Sequence, residues 1–179
     1  MRRELAAEWT TAEWFNSKPL TLAELRGRVV VLGAFQMLCP GCVSTSLPQL
    51  QRIHETFDPA EVAVIGLHTV FEHHGAMTAV ALAAFLHEYR LTFPIGVDAP
   101  GGGDVPLTMA RFGFRGTPSL ALIDRAGYLR LHQFGHFPDL QLGADIQKMI
   151  QETGTLAPVG SGQPVGAGKS ECSLDGGCS

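Results

Sequence analysis

The sequence has little of what would tie a chain to a membrane, to nucleic acid or to a disulfide scaffold. Its longest apolar stretch near the front, Val29 to Phe35, is far too short to cross a bilayer. Lys and Arg number 13 against 17 Asp and Glu, a net charge of -4. That balance argues against nucleic acid or an anionic membrane as the main partner, since both favour basic surfaces. The basic pair Arg2-Arg3 is followed by no apolar run, because Glu4, Glu8 and Glu13 interrupt it, so no secretory signal is read. A cytoplasmic location is therefore expected, with a periplasmic form that has lost its leader as the alternative. Four cysteines are too few to staple 179 residues. No internal repeat is visible.

What is present suits one domain with a tail. The hydrophobic fraction is 45% and the charged fraction 17%, ordinary for a globular protein. Residues 1–152 read as the domain. From Thr153 onward Gly, Pro, Ser and Val follow one another without period, which predicts a flexible tail over 153–179. Gly166-Ala167-Gly168-Lys169-Ser170 in that tail superficially suggests a phosphate loop. Gln163 stands where the loop needs its first glycine, and no strand precedes it.

The four cysteines form two close pairs, Cys39 with Cys42 and Cys172 with Cys178. Without a signal segment, close pairs suggest redox chemistry or metal before structural staples. Residues 28–35 are a continuous β-branched run, as expected for a central strand buried on both faces. Leu38-Cys39-Pro40-Gly41-Cys42 follows at once, and Val43, Leu47, Leu50, His54 and Phe57 then recur at helical spacing. Pro48 lies within that pattern and predicts a kink.

Further on, Glu61 to His68 reads as a second buried strand and Thr78 to Arg90 as a helix capped by Thr78. Phe93 to Val97 reads as a short strand, Asp98 to Pro106 as a loop and Leu107 to Phe112 as a short helix. Ser119 to Asp124 and Tyr128 to Phe134 make a hairpin around Arg125-Ala126-Gly127, and Leu142, Ile146, Met149 and Ile150 mark a last helix. The main order is β-α-β-α-β-β-α. It implies an α/β fold with a mixed central sheet and helices on both faces.

A cysteine placed where a buried strand gives way to a helix meets unpaired backbone N–H groups and the positive end of the helix dipole. Both favour thiolate, the attacking form. Cys39 is the expected nucleophile toward a substrate disulfide, and Cys42, one turn later, the resolving thiol of the mixed disulfide. Pro40 and Gly41 keep the two sulfurs within bonding reach. Zinc is the competing reading, but it needs two more ligands at suitable spacing, and Cys172 and Cys178 lie over a hundred residues away.

With these features the chain resembles the thioredoxin superfamily, most closely its TlpA/ResA branch of thiol–disulfide oxidoreductases, which borders the redoxin and peroxiredoxin group. The resemblance rests on Pro19 to Leu32 as the lead-in to the first central strand, on Cys39-Pro40-Gly41-Cys42, and on Gly116-Thr117-Pro118-Ser119 before a strand ending in Ile123-Asp124-Arg125-Ala126-Gly127. It implies a thioredoxin-like fold and a cis peptide bond at Pro118, which faces the active-site sulfurs. It also implies that the Thr117 backbone pairs with an extended substrate strand.

Three positions depart from the pattern. Leu38 stands where relatives often carry Trp. Gly33 stands where thioredoxins place a buried Asp and many TlpA-like proteins an Asn. His68 ends the second strand, where ResA-like members can carry a Glu, and an imidazole there could take the Cys42 proton or stabilise the Cys39 thiolate.

The expected partners are protein or small-molecule disulfides and an electron donor or acceptor that the sequence does not identify. No cofactor is expected, since the electrons reside on the cysteines. Cys172 and Cys178, flanking Ser-Leu-Asp-Gly-Gly, are read as a possible redox relay, a soft-metal site or an inert tail. A peroxiredoxin-like peroxidase is the first alternative, although Gln36 stands where that chemistry usually has Thr. A copper- or zinc-binding thiol protein is the second. His73 and His74 could join His68 on a metal, but adjacent histidines point apart on most backbones, and a solvated loop is the simpler reading.

Overall fold

The computed structural model describes residues 4–152. Six strands form one sheet in the order β1-β4-β3-β2-β5-β6: β1 (Thr11–Phe15), β2 (Val29–Phe35), β3 (Val62–His68), β4 (Ile95–Asp98), β5 (Ser119–Ile123) and β6 (Leu129–Phe134). Strands β2, β3 and β4 run parallel; β1, β5 and β6 run antiparallel to their neighbours. The helices are α1 (Leu47–Thr56), α2 (Ala79–Glu88), α3 (Leu107–Phe112) and α4 (Asp139–Gln151).

The unbroken apolar runs of β2 and β3 have a physical counterpart, because every residue of both strands is buried. Along β2, Val29, Val31 and Phe35 join the core with residues of α1, α2 and α4. Val30, Leu32 and Ala34 point to the other face and pack with Trp9, Leu22, Leu25 and the α3 residues Met109 and Phe112. Helices thus cover both faces of a mixed sheet, as the element order implied.

Two glycines set the spacing on the first face. Gly33 and Gly66 are register partners on β2 and β3. A Cβ at Gly33 would stand 2.3 Å from Leu50 Cδ1, and one at Gly66 would stand 2.4 Å from Ile95 Cδ1. Helix α1 lies close on the sheet because position 33 has no side chain.

The sequence missed β1. Its residues are half-exposed, without clean alternation, and a register irregularity falls between Thr11 and Glu13. Pairing with β4, and Gly96 lying flat beneath Thr11 and Trp14, makes it a strand. The expected kink at Pro48 is also corrected. The helical segment starts at residue 40, widens to a π-helical turn over Cys42–Ser46, and becomes regular as α1, with Pro48 in its first turn. Proline has no N–H for the carbonyl four residues back, and its ring crowds that carbonyl. The irregularity therefore lies on the N-terminal side of Pro48, in the turn that carries Cys42. The Thr78 cap is present, its hydroxyl accepting the Ala81 N–H at 3.2 Å.

Candidate active site

Strand β2 ends at Phe35, and the chain turns through Gln36, Met37 and Leu38 into the first cysteine. The Cys39 N–H donates to the Gln36 carbonyl at 3.2 Å, closing that turn. The Cys39 carbonyl then accepts the N–H groups of Cys42 and Val43, and its Sγ accepts the Cys42 N–H at 3.4 Å. This is an N-cap arrangement, with sulfur in place of the usual oxygen. Pro40 stands at the first helical position, where a missing N–H costs nothing.

The segment before β5 approaches from the other side. The Thr117–Pro118 peptide bond is cis. The Thr117 carbonyl accepts the Cys39 S–H at 3.4 Å. A Cβ at Gly41 would stand 3.4 Å from Pro118 Cδ, so glycine lets the proline lie directly against the motif. Cys39, Pro40, Gly41, Cys42, Thr117 and Pro118, separated by some eighty positions in sequence, form one corner at the C-terminal end of β2.

The two sulfurs differ in setting. Cys39 is half-buried, whereas Cys42 is fully buried, and both are free thiols. Burial pushes the Cys42 thiol up to about 12, and its hydrogen bond with Cys39 adds to the rise. The Gln36 main chain and the Thr117 hydroxyl also hydrogen-bond this sulfur and pull the other way. The thiol role of Thr117's side chain has no signal in the motif; only the proximity of two distant segments reveals it.

His68 ends β3 in register with Phe35, and their ring centroids lie 5.2 Å apart. Its side chain is buried, its Nε2 has no hydrogen-bond partner, and desolvation pushes it down to about 4. With that imidazole held neutral and the Cys42 thiol held protonated, proton transfer from one to the other is strongly uphill. The Gln36 Nε2 is likewise buried without a partner. At position 33 the space that an acid would fill is occupied by Leu50.

His73 and His74 lie exposed in the loop after β3. Among the described residues, no three His, Cys, Asp or Glu side chains gather as a metal ion would need. No helix among them is long and apolar enough to cross a membrane. Cys172, Cys178 and the expected tail lie outside the described residues.

The corner is rimmed by apolar side chains. Leu38, beside Cys39, is 57% exposed, and Phe134 is 55% exposed. Phe134 belongs to the same rim: a Cβ at Gly116 would stand 3.1 Å from its ring, and the next residue, Gly135, donates its N–H to the Pro118 carbonyl at 2.8 Å.

A family model described as the AhpC/TSA family matches residues 5–132. Among solved structures, the crystal structure of the thioredoxin-like superfamily protein SPOA0173 is 57% identical, with a TM-score of 0.81, over 83% of this chain and 97% of that one. The crystal structure of a thiol-disulfide isomerase from Corynebacterium glutamicum is 46% identical, also with a TM-score of 0.81, over 84% of this chain and 98% of that one. The protein DipZ of Mycobacterium bovis is 28% identical over 128 residues, 68% of this chain. The chain spans 17% of that curated relative's length.

Proposed function

The chain belongs to the AhpC/TSA family as a redoxin of the thioredoxin superfamily, and from that premise we propose that it exchanges disulfides through Cys39 and Cys42. Its general character is that of a thiol–disulfide oxidoreductase. The observation that carries the finer reading is the asymmetry of the two sulfurs. One is half-exposed beside a carbonyl and a proline; the other is fully buried behind it.

In the proposed reaction the Cys39 thiolate attacks one sulfur of a substrate disulfide. A bond forms from Cys39 to that sulfur, and the other substrate sulfur leaves as thiolate and takes a proton. Cys42 then loses its proton and attacks Cys39, which forms the Cys39–Cys42 disulfide and releases the second substrate sulfur.

Deprotonation of Cys42 is timed by the first step. In the resting dithiol, the bond with Cys39 helps to hold the Cys42 proton. Once Cys39 is in a mixed disulfide, that restraint is gone, while the Thr117 hydroxyl and the Gln36 main chain remain to stabilise the Cys42 thiolate. His68 is not the base for this step in the proposal; solvent or the departing substrate thiolate takes the proton.

Protein disulfides suit the rim best. Leu38, next to Cys39 in the chain, and Phe134, whose ring lies by Gly116, offer exposed apolar contact, and in this reading the Thr117 backbone pairs with an extended segment. No cofactor is needed, because both electrons reside on sulfur.

The test is a glutathione redox titration of the full chain with Cys172 and Cys178 replaced by Ser. A single two-electron transition that Cys39→Ser abolishes is the expected result. If Cys39 and Cys42 never form a mutual disulfide, the proposal is overturned.

A further inference from the structure

The helical segment that carries Cys42 is fixed at both ends. At its start, the Cys39 S–H donates to the Thr117 carbonyl at 3.4 Å, and Gly41 lies against Pro118, where a Cβ would stand 3.4 Å from Cδ. At its other end, Leu50 fills the space above Gly33 of β2, and Leu47 and Ile53 are buried in the same core. Between these anchors the chain holds one residue more than a regular helix would. The Leu47 N–H donates to the Cys42 carbonyl, five residues back instead of four. Just upstream, the Val43 N–H donates to the Cys39 carbonyl at 3.1 Å, the ordinary four-residue step. The extra residue is therefore taken up in the π-helical turn between Cys42 and Leu47.

Two side chains keep that turn wide. Pro48 has no N–H for the Ser44 carbonyl, which a regular helix would pair with it, and its ring crowds that carbonyl. The Thr45 hydroxyl donates to the Gly41 carbonyl at 2.6 Å. A hydroxyl bonded back to the preceding turn competes with the backbone ladder and bends the helix. Thr45 is exposed and Pro48 half-buried, so neither is needed to fill the core. Cys42, between them and the sheet, is fully buried.

We infer that Pro48 and Thr45 are positioning residues for Cys42: by keeping the turn wide, they let Leu50 seat on Gly33 while Cys42 lies beneath Cys39. The inference rests on the proposed dithiol chemistry and concerns its second step, the attack of Cys42 on Cys39. Neither residue supplies a proton or a bond to sulfur; both act through the backbone. Closing the turn to a regular helix would rotate Cys42 against α1 by about 100° for the residue removed from it. Its sulfur would then leave the Gln36 main chain and the Thr117 hydroxyl, which stabilise its thiolate. Misplacing a reacting atom by about 1 Å costs as much as roughly a hundredfold in rate. Formation of the mixed disulfide, performed by Cys39 at the head of the segment, does not depend on the turn.

The test compares Pro48→Ala, Thr45→Val and Thr45→Ser, each in the full chain with Cys172→Ser and Cys178→Ser. Rapid mixing with a fluorescent disulfide separates formation of the mixed disulfide from its resolution, and thermal melts report folding. Pro48→Ala should slow resolution by at least about tenfold and formation by less than about twofold. The pH midpoint of resolution should rise, because Cys42 loses donors that lower its value. Thr45→Val should show the same pattern more weakly, and Thr45→Ser, which keeps the hydroxyl, should match the parent. Should Pro48→Ala fail to fold, the Thr45 pair decides. Resolution at the parental rate, or equal slowing of both steps, overturns the inference, since a merely structural role would not single out the second step. The glutathione titration of the parent keeps the two readings apart. A parent that forms no Cys39–Cys42 disulfide overturns the dithiol chemistry and this inference with it; a parent that forms it while the variants resolve normally overturns this inference alone.

Discussion

Two buried polar corners stand side by side at the C-terminal ends of the parallel strands, and they are finished differently. At the end of β4, the Asp98 carboxylate is fully engaged. One oxygen accepts the Thr108 N–H at 2.8 Å; the other accepts the Met109 N–H at 2.9 Å and the Thr69 hydroxyl at 3.0 Å. At the end of β2, the Gln36 and His68 side chains keep unpartnered nitrogens, and Cys42 is a buried thiol whose hydrogen bonds oppose one another. The chain passes from one corner to the other between His68 and Thr69. A buried polar group with every bond made stabilises the fold; one left short of partners costs stability and is kept where chemistry can use it. The first corner is structural, and in the proposed mechanism the second is the reactive one.

The sharpest way to break this comparison is to cross the substitutions. Cys39→Ser should lower disulfide-reduction activity by at least about a thousandfold, since the nucleophile is gone, while thermal stability stays near that of the parent. Asp98→Ala should do the reverse. It strands two buried N–H groups and a hydroxyl, and should cost about 4 kcal/mol, or roughly 10 °C in Tm. The folded fraction should exchange disulfides within about twofold of the parent rate. Insulin reduction and thermal melts of both variants check this, and a large activity loss in folded Asp98→Ala would erase the distinction.

The next effect is in pH. His68 titrates at about 4 in the folded chain, through desolvation, and at about 6.5 when unfolded. Between those values the unfolded chain binds the extra proton, so stability is full above about pH 6.5 and is lost as pH falls through 4. The loss attributable to this one group is about 3 kcal/mol. Urea unfolding at pH 7, 6, 5 and 4 should show a shallower decline in His68→Phe, which retains a ring against Phe35. An equally steep decline would mean that His68 is not a buried neutral group.

How much of this was legible in sequence follows from which signals are local. The burial of β2 and β3, the helix over Ala79–Glu88 with its Thr78 cap, and α3 were readable, because each depends on runs, spacing and caps within one segment. Strand β1 was not, because its pairing with β4 compensates for a poor pattern. The motif pairs Cys39/Cys42 and Thr117/Pro118 were readable, but the Thr117 hydroxyl on Cys42 depends on a contact between segments. Gly33 shows the same limit. In sequence it is an acid missing from its usual place; in the fold it is the space that Leu50 fills. His68 was visible as a candidate base, yet burial against Phe35 decides its protonation, and burial of a side chain is a property of the packed chain.

The smallest effect is the one most specific to the proposed mechanism. Thr117→Val removes the hydroxyl that stabilises the Cys42 thiolate and leaves the backbone carbonyl that accepts the Cys39 S–H. One hydrogen bond to a charged sulfur is worth about 1–2 kcal/mol, so resolution of the mixed disulfide should slow by roughly five- to thirtyfold. The pH midpoint of that step should rise, because the hydroxyl lowers the Cys42 value and its loss leaves burial less opposed. Formation of the mixed disulfide should barely change, since Cys39 performs it. Rapid-mixing kinetics with a fluorescent disulfide separate the two steps across pH. Equal slowing of both would assign Thr117 to the shape of the corner alone, while slowing confined to the second step, with its midpoint shifted up, would place the control of Cys42 in the segment that Pro118 presses against the motif.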